Sequence, residues 1–180
     1  MKLQHSIRWI TVGLLISTTG MNAAEPAPAA PPAPTSPPAA PTPPPAPPVL
    51  DLGNFSSEAI TTKAWDALNA KNYVLAKAYA QKCIEMFKDQ AVVMQKALTA
   101  PATVKEEVFK SWALNDVGAC YFIVGKALEA EGKGTEAIVP FKFLVENLSF
   151  AQCWDTQGWF WKPADAARER VKALEFDALK

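Results

Sequence analysis

From residue 57 onward the apolar positions recur every three or four residues, the spacing of helices buried along one face. Ile60, Ala64, Ala67 and Leu68 mark a first helix, widened by Trp65, with Ser56 and Ser57 as caps. The turn Ala70-Lys71-Asn72 leads to a second, carrying Tyr73, Ala76, Ala80, Cys83, Ile84 and Phe87. A shorter helical run from Val92 to Leu98 stops before Pro101, which disfavours helix in the residue preceding it. Thr103 is expected to cap the next stretch. There Val104, Val108, Trp112, Val117, Cys120, Tyr121, Val124 and Leu128 hold the period to Glu131, as one helix or as two broken near Ser111. Gly132-Lys133-Gly134 ends it, since glycine adopts the left-handed cap without strain.

Thr135 is expected to cap the following helix, whose inner face is Ile138, Phe141, Leu144, Val145 and Leu148. Pro140 must sit near its first turn or kink it. After an irregular aromatic stretch, Pro163 suits the first position of a last helix. That helix turns Ala167, Val171, Leu174 and Ala178 inward and Asp165, Arg168, Glu169, Arg170 and Lys172 to water. The expectation is an all-α fold of antiparallel helical hairpins over residues 51–180, with about five to seven helices and no strand.

The N-terminal third follows different rules. Residues 1–24 have the three zones of a secretory signal peptide: Lys2 and Arg8, then an apolar stretch from Trp9 to Ser17, then small residues ending at Ala24. That stretch is shorter than the ~20 residues a membrane-spanning helix needs. Cleavage after Ala24 is therefore expected, with retention as an anchor the alternative, and the protein is expected to be exported to a periplasmic or extracellular space. Residues 25–50 form a Pro/Ala-rich linker holding thirteen of the sixteen prolines. Proline donates no backbone hydrogen bond, so this tract is expected to be an extended, disordered spacer.

Charge and reactive groups narrow the chemistry. Removing residues 1–24 takes two of the 18 basic and none of the 18 acidic residues, leaving a net charge of −2 with no dense basic stripe. Nucleic acid is not expected as a partner, nor is a stable membrane span after cleavage. The one histidine, His5, lies in the removed segment. That excludes Ser-His-Asp or Cys-His catalysis and imidazole metal sites from the mature chain. No phosphate-binding glycine loop, calcium loop or metal-ligand cluster is present, so no cofactor and no metal are expected. Cys83 and Cys120 fall on apolar helix faces and read as buried thiols, while Cys153 is left open. Carboxylates such as Glu106, Glu107, Asp116, Glu129 and Asp155 lie at helix-surface spacings. Asn115-Asp116 interrupts an apolar run and is expected to cap a break or form a buried polar contact.

Two of the hairpins resemble tetratricopeptide repeats. In one, Tyr121, Val124, Gly125 and Leu128 are followed by the turn Glu131 to Gly134 and then Ala137, Phe141 and Leu144. In the other, Ile60, Ala64 and Ala67 precede Ala76, Ala80 and Cys83. The matching alanines Ala76 and Ala137 stand 61 residues apart. The family's period is about 34, so residues 88–111 read as an insertion or a decayed repeat. The resemblance covers roughly residues 57–150. It implies a non-enzymatic scaffold whose first helices line a groove for a protein or peptide partner. On the positions here that groove holds Trp65, Asn69, Trp112, Asn115, Phe122 and Lys126, with Asn69, Asn115 and Lys126 as its polar candidates.

The remaining candidate site is the loop from Cys153 to Pro163, where Trp154, Trp159 and Trp161 crowd between two helices. Two readings stand. The rings close the open end of the helical stack, or they form a stacking platform for a glycan or peptide, with Asp155, Gln157 and Lys162 supplying hydrogen bonds. A carbohydrate or cell-wall glucan ligand at Trp154, Asp155, Trp159 and Trp161 is thus the first alternative to a protein partner. A structural subunit of an envelope assembly is the second.

Overall fold

The computed structural model describes residues 48–180. The expected signal segment and residues 25–47 of the Pro/Ala tract lie outside the described residues. Six helices and one two-stranded ribbon make up the ordered elements among those described: α1 Ser57–Asn69, α2 Tyr73–Ala97, α3 Lys105–Lys110, α4 Trp112–Ala130, α5 Gly134–Asn147, β1 Cys153–Trp154, β2 Phe160–Trp161 and α6 Pro163–Asp177. The fold is all-α, as the periodicity predicts. No described helix is long and apolar enough to cross a membrane.

Helix α1 starts because the Ser56 hydroxyl accepts from the Ala59 N–H at 3.2 Å. It buries Ile60, Thr61, Ala64 and Ala67 on one stripe. Lys71 turns the chain in the left-handed conformation (φ 59°), and Asn72 then caps α2 by accepting from the Leu75 N–H at 3.1 Å. Helix α2 is continuous to Ala97, where the apolar spacing had implied two shorter runs. The polar link Lys88-Asp89-Gln90 is exposed but contains neither glycine nor proline, so the helix crosses solvent and regains the core at the fully buried Ala91. Its far end is tied down by Gln95, whose amide oxygen accepts from the Phe150 N–H at 2.9 Å.

The stretch after Pro101 is two helices. Thr103 does not cap α3; Val104 occupies the cap position without a side-chain bond. At Ser111 (φ −88°, ψ 36°) the helical path breaks. Asn115 stabilises that break: its amide N–H donates at 2.7 Å to the Val108 carbonyl, which also accepts from the Ser111 N–H at 3.1 Å. Helix α4 packs against α1, α2, α5 and α6 and is the central element. Two of its glycines let neighbouring side chains approach closely. A Cβ on Gly125 would lie 2.4 Å from a ring carbon of the fully buried Phe141, and one on Gly118 would lie 2.5 Å from Cβ of Ala151.

Two further expectations are corrected, and the position of Pro140 is fixed. Helix α5 begins two residues earlier than a Thr135 cap requires, with Lys133 at the cap and no side-chain bond. Pro140 lies well inside α5 and buried, beyond the first turn. It leaves the Glu136 carbonyl without its helical N–H, a loss eased because Glu136 faces solvent. Ala178, expected inward, is the exposed C-cap of α6, whereas Ala164, Ala167 and Val171 are buried as an amphipathic helix requires. Pro163 does open α6.

The aromatic loop is a short ribbon where no strand was expected. Cys153 pairs with Trp161 and Trp154 with Phe160, antiparallel. Asp155 shapes the turn, its carboxylate accepting from the Gln157 N–H at 2.8 Å, and Gly158 supplies the positive φ of 102°.

Candidate binding cleft

One side of α1, the start of α4, α3 and the ribbon enclose a cleft of about 760 Å³. Its walls carry five aromatic side chains: Trp65 from α1, Phe109 from α3, Trp112 from α4, and Trp154 and Phe160 from the ribbon. Its polar lining includes Ser57, Glu58, Thr61 and Thr62 from α1, Asn115 and Asp116 from α4, and Gln152 ahead of β1. Trp112 and Trp154 are 45% and 47% exposed, so ring faces remain open to a ligand. Folding brings α1 and α4, far apart in sequence, to the same cleft as the loop that follows α5.

Side-chain packing holds the walls in place. Trp154 meets Phe160 edge-on at 4.9 Å, and Phe160 meets Phe109 at 5.7 Å. Trp112 rests its ring edge against Phe87 of α2 at 5.7 Å. The Lys105 ammonium sits 4.8 Å from the Trp154 ring centre and 5.6 Å from that of Phe109.

Asp116 is the electrostatic feature of the floor. Burial pushes its carboxyl up to about 6, opposed by a hydrogen bond from the Ser57 hydroxyl and reinforced by the nearby Glu58. Ser57 is itself buried and so serves Asp116 while Ser56 caps the helix. Neither Glu58 nor Asp116 has an ion-pair partner among the described residues. Behind the floor the Thr61 hydroxyl lies 3.4 Å from the Cys83 sulfur and 3.2 Å from that of Cys120. Both cysteines are buried free thiols, as their positions on apolar faces predict. Burial pushes the Cys120 thiol up, and it also raises Cys153, whose sulfur donates toward the Asn115 carbonyl. Cys153 is a free, half-buried thiol. Among the described residues no group of three or more His, Cys, Asp or Glu side chains is placed to hold a metal ion.

The candidate residues divide into four sets. Trp154 and Asn115 line the cleft, together with Trp65 and Trp112. Asn115 is already engaged there at both ends of its amide, since its oxygen also accepts from the Gln152 N–H at 2.9 Å. Asn69 and Lys126 lie elsewhere, in a smaller hollow of about 450 Å³ shared with Leu68, Lys71, Tyr73 and Glu129. Lys126 pairs with Glu129 at 3.2 Å, and Glu129 also pairs with Arg170. Trp161 packs into an aromatic cluster, 6.4 Å from Trp65 and 5.3 Å from Phe122, whose ring is 5.7 Å from Phe141. Trp159, 50% exposed, and Asp155, in the turn, line neither hollow. The three tryptophans of the loop therefore form no single platform.

Glu58, Thr61, Thr62, Phe109, Gln152 and Phe160 also line the cleft, and nothing in the sequence singled them out. Compared with known proteins, the chain matches no family model, no curated protein and no solved structure.

Proposed function

We propose that the protein is an extracytoplasmic, non-enzymatic scaffold of tetratricopeptide-like type that holds a segment of a partner protein in the cleft between α1, α4 and the ribbon. The observation that carries this reading is the convergence of Trp65, Trp112 and Asn115, on the two helices the resemblance assigns to the groove, with Trp154 of the aromatic loop. Aromatic side chains that are half exposed over a polar floor suit a contact that buries apolar area while fixing register by hydrogen bonds. The Pro/Ala tract would then act as a spacer between this domain and its point of export.

The test compares capture of a partner from envelope extract by the full-length chain and by Trp154→Ala and Trp159→Ala variants. Both rings are about half exposed, but only Trp154 lines the cleft. The reading requires a protein partner lost with Trp154→Ala and kept with Trp159→Ala. Equal loss with both, or none with either, refutes it. A polysaccharide lost with Trp154→Ala moves the site to glycan binding.

A further inference from the structure

The cleft lining contains two carboxylates, Glu58 and Asp116, and no lysine or arginine. Among the described residues most other acidic groups of comparable burial are paired: Glu131 meets Lys77 and Lys133, and Glu129 meets Lys126 and Arg170. Asp116 instead accepts its one hydrogen bond from the neutral Ser57, and the charge that acts on it is the like charge of Glu58. A desolvated carboxylate beside another carboxylate is a costly arrangement that a cation would relieve. The walls around this pair are aromatic, and the Lys105 ammonium over Trp154 and Phe109 demonstrates that these rings accept a cation.

We propose that the partner segment enters the cleft through an arginine, whose guanidinium stacks on the aromatic walls and pairs with Glu58 and Asp116. The proposal rests on the reading of the cleft as a partner site. Arginine fits better than lysine because its planar group stacks on rings, offers five donors to two acceptors, and is shed from water at lower cost. Binding should also depend on pH, because the anionic form of Asp116 is the one that pairs. The titratable groups facing Asp116 are Glu58 of α1, Cys83 of α2, Cys120 of α4 and Cys153 of β1. Burial pushes the Cys120 and Cys153 thiols up, away from this range, so the transition is assigned to Asp116.

Selection of a displayed random-peptide library on the full-length chain tests this, with Trp154→Ala as the cleft-deficient control. Sequences that depend on Trp154 should be enriched in arginine at one position. Resynthesis with citrulline there should weaken binding about tenfold, the loss of one charge-assisted pair. The preference for arginine over citrulline should vanish in Asp116→Asn and shrink in Glu58→Gln. The second variant, at an exposed position, keeps the test valid if the first fails to fold. Affinity for the arginine peptide should rise through about pH 6 in the wild type and not in Asp116→Asn. Peptides that need Trp154 but carry no arginine, or carry lysine as often, overturn the arginine assignment and leave the cleft standing. If no peptide depends on Trp154, both fall.

Discussion

Replacing Asp116 by Asn changes how the stability of the domain depends on pH. Burial holds the folded-state pKa of Asp116 near 6, against an ordinary value of 3.8. The folded chain thus keeps this proton more tightly than the unfolded chain, and stability falls as pH rises from about 4 to about 6, then stays level. A shift of roughly two units at about 1.4 kcal/mol each makes the loss about 3 kcal/mol. The carboxylates held low by partners act in the opposite direction and lower down. Asp51 beside Lys63, Glu131 beside Lys77 and Asp165 beside Arg168 contribute above the ordinary carboxylate range and lose that contribution as the pH falls further. The wild type should therefore be most stable in mild acid. Asn cannot ionise, and it keeps an oxygen to accept from Ser57, so Asp116→Asn should lack the decline between about pH 4 and 6. Urea unfolding followed by tryptophan fluorescence across that range measures both proteins directly. If the two lose stability in parallel over this interval, Asp116 is not desolvated in the folded chain and the electrostatic description of the floor is wrong.

Three other perturbations read the packing. Gly125→Ala drives a methyl group into the Phe141 ring and should cost about 1–3 kcal/mol by denaturant unfolding; a cost under about 0.5 kcal/mol, typical of a surface change, would show that the helices do not cross this closely. Trp161→Ala should lower stability by about 2 kcal/mol or more by removing a ring packed on Trp65 and Phe122, while Trp159→Ala stays within about 0.5 kcal/mol; similar values for the two would dissolve the distinction between a packed and an open tryptophan. Cys83 and Cys120 should resist a thiol reagent in the folded chain and react after denaturation, so rapid labelling of either in native buffer contradicts their burial.

The helices were legible because each buries a stripe at helical spacing, and that information is local. Ile60, Ala64 and Ala67 of α1 and Phe141 and Leu144 of α5 are buried where the period puts them. Pro163 and Gly132 mark boundaries through their own backbone restrictions. Helix α2 was misread because Lys88-Asp89-Gln90 breaks the apolar pattern without breaking the helix: these side chains tolerate helical geometry in water, and packing resumes at Ala91. The caps expected of Thr103 and Thr135 failed because the helix starts shifted by one or more residues, a change within the freedom of a chain end. The ribbon was not legible at all, since strands of two residues carry no alternation to detect.

The cleft was half legible. Trp65, Trp112, Asn115 and Trp154 were named, but from two separate arguments, and nothing local says that they meet. Their meeting depends on contacts such as Ser57 with Asp116, separated by 59 residues, and Asn115 with Gln152, separated by 37. The same distance effect misplaced Trp161, whose aromatic neighbours come from α1 and α4.

Photo-crosslinking in the producing cell would decide whether the cleft is where a partner sits. A photoreactive aromatic residue is placed in turn at positions 112, 154 and 159 of the full-length chain. The first two line the cleft, and the third is similarly exposed outside it. The cleft reading predicts one common crosslinked protein from positions 112 and 154 and none from 159. Crosslinks from 159 alone, equal crosslinks from all three, or none from 112 and 154 would contradict it.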